Sequence, residues 1–266
     1  MYRMIAIDID DTLLNDDMII TDETKQAIRD AIDNGIVVTL ATGRMYPSAV
    51  QIARQLDLNV PLITYQGAKI KNLLDQKTVY ERLVPQPIVQ AVFDYARRQG
   101  LHLQVYHDDI LYSREDHEFV RTYSETLLVP YTVALNFDGL ADKPLNKLLI
   151  ADRPDKVDCI CEELMSMFGQ AAYITKSKPE YVEVLHVEAT KGHALEYLAS
   201  HYEIPMTQVI AIGDSWNDHE MIERAGLGVA MGNAIPSLQR VADYVTLTNN
   251  LNGVAHVIRK FMLDAR

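Results

Sequence analysis

The sequence predicts an α/β protein: a doubly wound parallel sheet covered by helices, with a second, α+β unit inserted into it. Three observations carry that prediction. The first third of the chain alternates short apolar runs with helical periods, the last third resumes the same alternation, and the middle third breaks it with strands that follow one another directly.

In the first third, Met4-Ile5-Ala6-Ile7 is an apolar run short enough for a buried strand. Thr21 offers a helix cap, Asp22 and Glu23 occupy the first turn, and Gly35 ends the helix. Residues Ile36 to Ala41 form a second buried run, a helix begins near Pro47, and Val60 to Thr64 is a third strand. From about Val79 the pattern changes: a strand, a helix from Gln86 to Gln99, then strands at Leu101 to Tyr106 and Ile110 to Ser113. After a helical stretch from Glu115 to Leu127, a strand from Leu145 to Ala151 precedes a helix from Pro154 to Phe168 and strands at Ala171 to Thr175 and Tyr181 to Leu185. The last third returns to a helix from about Thr190, a strand Val209 to Ile212, a helix from about Asn217, strands at Gly228 to Ala230 and Tyr244 to Thr246, and a terminal amphipathic helix bearing Val254, Val257, Ile258 and Phe261. The simplest organisation is a core built from residues 1–82 and 187–266, interrupted by an α+β unit at residues 83–186.

Composition excludes several classes. The chain has 266 residues, 48% hydrophobic and 23% charged, the balance of an ordinary globular protein. Its net charge of −12 repels a polyanion, and no basic run offsets it, so nucleic acid is not an expected partner. The two cysteines, Cys159 and Cys161, fall two apart on a helix and point to different faces, which suits neither a disulfide nor a metal clip. The N-terminal stretch reads as neither a signal peptide nor a membrane span, and with so few cysteines the expected location is the cytoplasm.

Four polar clusters fall where the expected strands end or a helix begins: Asp8-Ile9-Asp10-Asp11-Thr12, Thr42-Gly43-Arg44, Lys191 after Thr190, and Gly213-Asp214-Ser215-Trp216-Asn217-Asp218. In an open parallel sheet the ligand site lies beyond the carboxyl ends of the strands, so these clusters should converge. Their chemistry is complementary, with carboxylates for a divalent cation and a hydroxyl and an ammonium for an anion. Each cluster alone is an ordinary turn, cap or surface feature. Lys191 is the exception, because a cation at the positive end of a helix needs a compensating negative charge.

In this order the clusters resemble the four motifs of the haloacid dehalogenase superfamily, in its Cof-type phosphatase branch. Asp8-Ile9-Asp10-Asp11-Thr12-Leu13 matches the first motif, Thr42 the second, Lys191 the third, and Gly213-Asp214 with Asn217-Asp218 the fourth; Gly228 to Ala234 reads like the segment that follows. The resemblance covers the whole chain and implies a Rossmann-like core with a cap that chooses the substrate. It further implies Mg2+ as cofactor and a small phosphorylated metabolite as substrate. Asp8 is then the nucleophile and Asp10 the acid/base. Mg2+ is held by Asp8, the Asp10 main-chain carbonyl and Asp214, with Asp218 ligating or anchoring a coordinated water. Thr42, Gly43, Lys191 and Asn217 contact phosphate or substrate, and Arg44 is either a substrate contact or a structural ion pair. Departures from the family pattern are Asp11 where glycine is common, Gln66 where asparagine is usual, Glu188-Ala189-Thr190 before Lys191, and the bulky Trp216, which is expected to pack beside its loop. His102, His107, Tyr106 and Tyr112 show no ligand spacing and read as packing.

The chemistry makes a demand on Asp10. It must be protonated to release the leaving group and deprotonated to activate water, so its pKa is expected to be raised, with Asp8, Asp11 and the substrate dianion pushing in that direction. Two other readings share part of the pattern. A phosphosugar mutase of the same superfamily would use every core residue. A receiver-like phospho-aspartate binding module would need about half this length and no Asp10. A nicotinamide site is disfavoured because no Gly-x-Gly-x-x-Gly follows the first strand.

Overall fold

A computed structural model describes residues 1–263 of the chain. The chain opens with β1 (Met4–Ile7), α1 (Asp22–Asp33), β2 (Val37–Leu40) and α2 (Tyr46–Gln55). Thr21 caps α1 by accepting from the Thr24 amide at 3.2 Å, and Gly35, at φ +78°, takes the left-handed turn that ends it. The apolar run of β1 is buried on both faces because β2 flanks it in parallel and helices cover the sheet.

The third expected strand departs from a simple continuation. β3 (Leu62–Thr64) meets the parallel sheet only through the bridge from Ala41 to Ile63, then folds back antiparallel onto β4 (Lys69–Lys71) and β5 (Thr78–Glu81). The cause is the turn between β3 and β4. Tyr65, Gln66 and Gly67 all have positive φ, and a side chain on Gly67 would sit 2.1 Å from the Thr190 carbonyl oxygen. The turn is thereby pressed against the start of the helix that carries Lys191.

The middle of the chain forms α3 (Gln86–Gln99), β6 (His102–His107), β7 (Ile110–Ser113), α4 (Glu118–Leu127), β8 (Tyr131–Val133), β9 (Lys147–Ala151), α5 (Pro154–Phe168), β10 (Ala172–Lys178) and β11 (Tyr181–His186). Its sheet runs in the order β10-β11-β9-β6-β7-β8, antiparallel except for the β7–β8 pair. The alternation of strand side chains divides its two faces. Val105, Leu148, Ile150, Val182 and Val184 pack with α3 and α5 in a core of their own. The opposite face turns Tyr106, Leu149 and Leu185 into the larger core cluster, and buries Lys147 and Glu183 as well. β8 was not expected from the sequence, because its residues are half-buried or exposed and show no buried periodicity.

The last third supplies α6 (Lys191–His201), β12 (Val209–Gly213), α7 (His219–Arg224), β13 (Leu227–Ala230), α8 (Pro236–Val241), β14 (Tyr244–Val245) and α9 (Gly253–Ile258). The completed parallel sheet has the order β14-β13-β12-β1-β2, with β1 and β12 side by side at its centre, so the loops after them meet. Val254, Val257 and Ile258 are buried as the terminal amphipathic pattern requires. Cys159 is exposed and Cys161 buried, as their spacing on α5 predicts. Among the described residues no helix is long and apolar enough to cross a membrane.

Candidate active site

The site grows from the carboxyl ends of β1 and β12. Asp8 follows β1 directly and is 5% exposed. Its chain then turns sharply through Asp11, which adopts φ +56°, and returns Thr12 to the sheet edge. Thr12 Oγ1 donates to Asp214 Oδ1 at 2.8 Å, so the first loop positions the carboxylate that follows β12. Asp8, Asp214 and Asp218 bring carboxylate oxygens within 4.8 Å of one another.

Lys191 is the first residue of α6, fully buried, with Thr190 capping the helix at 3.1 Å from the His193 amide. Its ammonium donates to Asp8 Oδ1 at 2.6 Å and to Asp218 Oδ1 at 2.7 Å. The other Asp218 oxygen accepts from the main-chain amides of Asp214 and Ser215 at 2.9 and 3.0 Å. Both oxygens of Asp218 are therefore engaged in holding Lys191 and the loop after β12. Burial pulls the Lys191 ammonium down, but Asp218 and Asp8 outweigh it and hold the ammonium above the ordinary lysine range. The carboxylates respond the other way. Burial, opposed by Lys191 and reinforced by Asp218 and Asp10, pushes Asp8 up to about 7. Burial together with Asp8 and Asp218 pushes Asp214 to about 9, with Thr12 opposing. Lys191 bonds two of the three clustered carboxylates, and the mutual repulsion that raises Asp8 and Asp214 is what a divalent cation such as Mg2+, which prefers hard oxygen donors, would relieve.

Asp10 behaves differently from expectation. Arg44 grips it through two hydrogen bonds, Nε to Oδ2 at 2.9 Å and Nη2 to Oδ1 at 2.6 Å, and Arg44 is itself only 5% exposed. Burial raises the Asp10 pKa, yet the Arg44 hydrogen bonds and charge outweigh it, with Lys178 and Lys191 adding to the effect, and the net direction is down. The anticipated rise is thus reversed by a guanidinium that the sequence left open between two roles. The ion pair is present.

A cleft opens over this cluster. The core contributes Asp8, Asp10, Asp11, Gly43, Arg44, Asp214, Ser215 and Asn217, together with Met18. Lys191, Asp218 and Thr42 lie behind its lining: Thr42 is 1% exposed and its hydroxyl accepts from the Arg44 amide at 3.1 Å. Sequence reasoning missed the cap's contribution, which comes from Tyr123, Thr126 and Leu127 near the end of α4 and from Ser177, Lys178, Tyr181 and Glu183 on β10 and β11. The available signal was the alternation along β11, where Tyr181 and Glu183 share the face opposite Val182 and Val184. Of the other flagged residues, His102 stacks on His117 with ring centres 4.5 Å apart, and His107 Nδ1 lies 2.8 Å from the Pro144 carbonyl oxygen; neither lines the cleft. Trp216 packs under Lys176, whose ammonium is 4.7 Å from the ring centre.

Residues 5–258 match the haloacid dehalogenase-like hydrolase family, and the chain belongs to it, in the Cof-type branch. An enzyme of the phosphatase class is what this membership defines. The chain is 33% identical to the 5-amino-6-(5-phospho-D-ribitylamino)uracil phosphatase YcsE of Bacillus subtilis, over 98% of this chain and 96% of that one. It is 29% identical to phosphatase YwpJ of the same organism, over 98% of this chain and 100% of the other. The crystal structure of TM0651 from Thermotoga maritima superposes with a TM-score of 0.85 at 32% identity, covering 99% of both chains.

Proposed function

We propose that this chain is a Mg2+-dependent phosphatase that hydrolyses small phosphorylated metabolites, sugar phosphates or phosphorylated cofactors, through an aspartyl phosphate on Asp8. The observation that carries the reading is the buried Lys191 ammonium bound to both Asp8 and Asp218, with Asp214 held alongside by Thr12. The names of relatives support the substrate class, since one acts on a phosphorylated ribityl compound.

Asp8, Asp214 and the Asp10 main-chain carbonyl would hold Mg2+, with Asp218 fixing Lys191 and the loop beside it. When bound, the cation neutralises negative charge around the transferred phosphoryl group. That matters because two like charges about 4 Å apart repel by roughly 4 kcal/mol at an effective dielectric near 20. Lys191 adds a fixed positive charge, Gly43 borders the phosphoryl position, and Thr42 lies directly behind it.

In the first step an Asp8 oxygen bonds to phosphorus and the ester bond breaks, the leaving oxygen taking a proton from Asp10. In the second step Asp10 takes a proton from water, water oxygen bonds to phosphorus, and the bond to Asp8 breaks to release phosphate. The Arg44 grip favours the deprotonated Asp10 needed for the second step. Substrate dianion, competing for Arg44, would loosen that grip for the first. We assign the cap to residues 83–186 and the core to the remainder, with the cap discriminating among substrates.

The test is a panel of sugar phosphates, phosphorylated cofactors and nucleotides, read out as released phosphate with Mg2+ and with chelator. Release with Mg2+ and its loss with chelator are expected. Full activity after exhaustive metal removal, or transfer of phosphate to a second hydroxyl without release, would reject the reading.

A further inference from the structure

Asn217 lines the cleft beside Asp8, Asp10 and Asp214, and it is 7% exposed. Its Nδ2 donates to Gln66 Oε1 at 2.8 Å, while its Oδ1 is buried with no hydrogen-bond partner among the described residues. Buried amide oxygens are seldom left unpaired, and one at a catalytic cleft marks a place for a ligand.

Which end of the Asn217 amide is left over is decided in the cap. Glu183 on β11 is 1% exposed and pairs with the Lys147 ammonium on β9 at 3.0 Å. The same Glu183 oxygen accepts from Ser177 at 2.8 Å, and Lys147 also donates across to the Gly43 carbonyl at 3.0 Å. A carboxylate so paired has only acceptors to offer. Gln66 must therefore turn Nε2 toward Glu183, where it donates at 2.6 Å, and this leaves Oε1 toward Asn217. Asn217 must in turn give Nδ2 to Gln66. Reversing either amide alone would set two acceptors, or two donors, against each other.

We infer that this relay, running from Lys147 through Glu183 and Gln66 to Asn217, lets the cap set the polarity of the catalytic cleft. With the cap seated, Asn217 presents an oxygen acceptor, and its ligand is a hydrogen-bond donor: a coordinated water or a substrate hydroxyl. A bare phosphoryl oxygen, itself an acceptor, does not satisfy it. Glu183 and Gln66 are positioning residues, and because Glu183 lies on the cap sheet while Gln66 and Asn217 lie on the core, the orientation depends on contact between the two. The nature of the ligand rests on the phosphatase reading; the amide orientation rests on the geometry alone.

The test is an inversion. In Glu183→Gln the introduced amide keeps an oxygen for Lys147 and turns its NH2 to Gln66, which reverses both downstream amides and offers the cleft a donor. In that background Asn217→Asp restores an acceptor, since the reversed Gln66 can donate to one carboxylate oxygen while the other faces the cleft. Each single change is expected to lower kcat/KM by about tenfold, the cost of one mismatched buried hydrogen bond. The double variant is expected to exceed both singles. Calorimetric Mg2+ titration separates the two donors: weakened Mg2+ binding in Glu183→Gln assigns a coordinated water, and a raised KM at unchanged Mg2+ affinity assigns a substrate hydroxyl. Gln66→Met, similar in size, breaks the relay without touching the buried Lys147–Glu183 pair, and it should shift the 15N-detected side-chain amide of Asn217. A double variant no better than the singles, or an Asn217 amide unmoved by Gln66→Met, overturns the relay. A wild-type protein that releases no phosphate would reject the phosphatase reading instead, leaving the Asn217 resonances to decide the relay.

Discussion

The carboxyl edge of the parallel sheet and the inner face of the cap sheet both press charged side chains against one cleft, yet they are organised differently. At the sheet edge, the Lys191 ammonium bonds Asp8 and Asp218 while Asp214 is held beside them by Thr12, a crowding of carboxylates that a divalent cation would relieve. On the cap face, Lys147 and Glu183 form a closed pair whose remaining bonds go to Ser177, Gly43 and Gln66. The first region is left unbalanced where we propose the chemistry occurs, and the second is balanced, as a buried network must be to hold one arrangement. Substitutions among Asp8, Asp214 and Lys191 should therefore fall chiefly on turnover, and those that break the Lys147–Glu183 pair chiefly on stability, whereas Glu183→Gln, which keeps the contact with Lys147, should act on catalysis through Gln66.

The largest effects should separate the two aspartates of the first loop. On the proposed mechanism Asp8→Asn removes the nucleophile, so turnover should vanish and no phosphoenzyme should form. Asp10→Asn keeps the nucleophile but removes the base, so with an activated leaving group phosphate should accumulate on Asp8, visible by intact mass after acid quench. Phosphate trapped on Asp10 in the Asp8→Asn protein would reverse the assignment. Next comes Lys191→Met, expected to cut turnover by on the order of 100-fold or more. Because Lys191 is fully buried between Asp8 and Asp218, its loss should also lower Tm, and added Mg2+ should recover part of that loss. Near-normal turnover in this variant would make Lys191 a packing residue.

The same contrast explains what was legible in the sequence. Asp8, Asp214 and Lys191 each sit at a boundary that local rules can find, the end of a buried strand or the start of a capped helix, so topology brings them together. Glu183 and Lys147 sit inside strands, where alternation gives the face each takes, but only register between β9 and β11, which pairs Val182 with Ile150 and Glu183 with Leu149, brings the two together. Register over that distance is a property of the folded sheet. The ion pair between Arg44 and Asp10 was half-legible. The sequence offered a guanidinium near the site, but which partner it took depended on a turn through Asp11 that local propensity does not foretell. The Tyr65–Gly67 turn failed for a similar reason, since its left-handed residues are held by contact with Thr190, far away in sequence.

On the cap face, Lys147→Met should leave Glu183 buried without its counter-charge, at a cost of about 3–5 kcal/mol in unfolding free energy. Chemical denaturation with the wild type as reference measures it. A cost below about 1 kcal/mol would mean that the pair is not a closed buried network, since that is the range of exposed pairs.

The smallest effect should come from Lys178, which reaches from the end of β10 to Asp11 at 2.6 Å across the mouth of the cleft. Both side chains are partly open to solvent, at 41% and 49%, so screening limits the pair and Lys178→Ala should change stability by no more than about 1 kcal/mol. Its position still matters to a charged ligand. Burial lowers the Lys178 pKa, but Asp11, Asp10 and Asp214 outweigh it and keep the ammonium protonated over the site. An anion entering the cleft competes with Asp11 for that charge, so Lys178→Ala should raise KM by a few-fold while leaving kcat nearly unchanged, and the difference should shrink as salt is added. Asp11→Asn should do the opposite and lower KM, because it frees Lys178. If both variants raise KM equally, the pair serves to hold cap against core, and the charge of Lys178 plays no part in substrate capture.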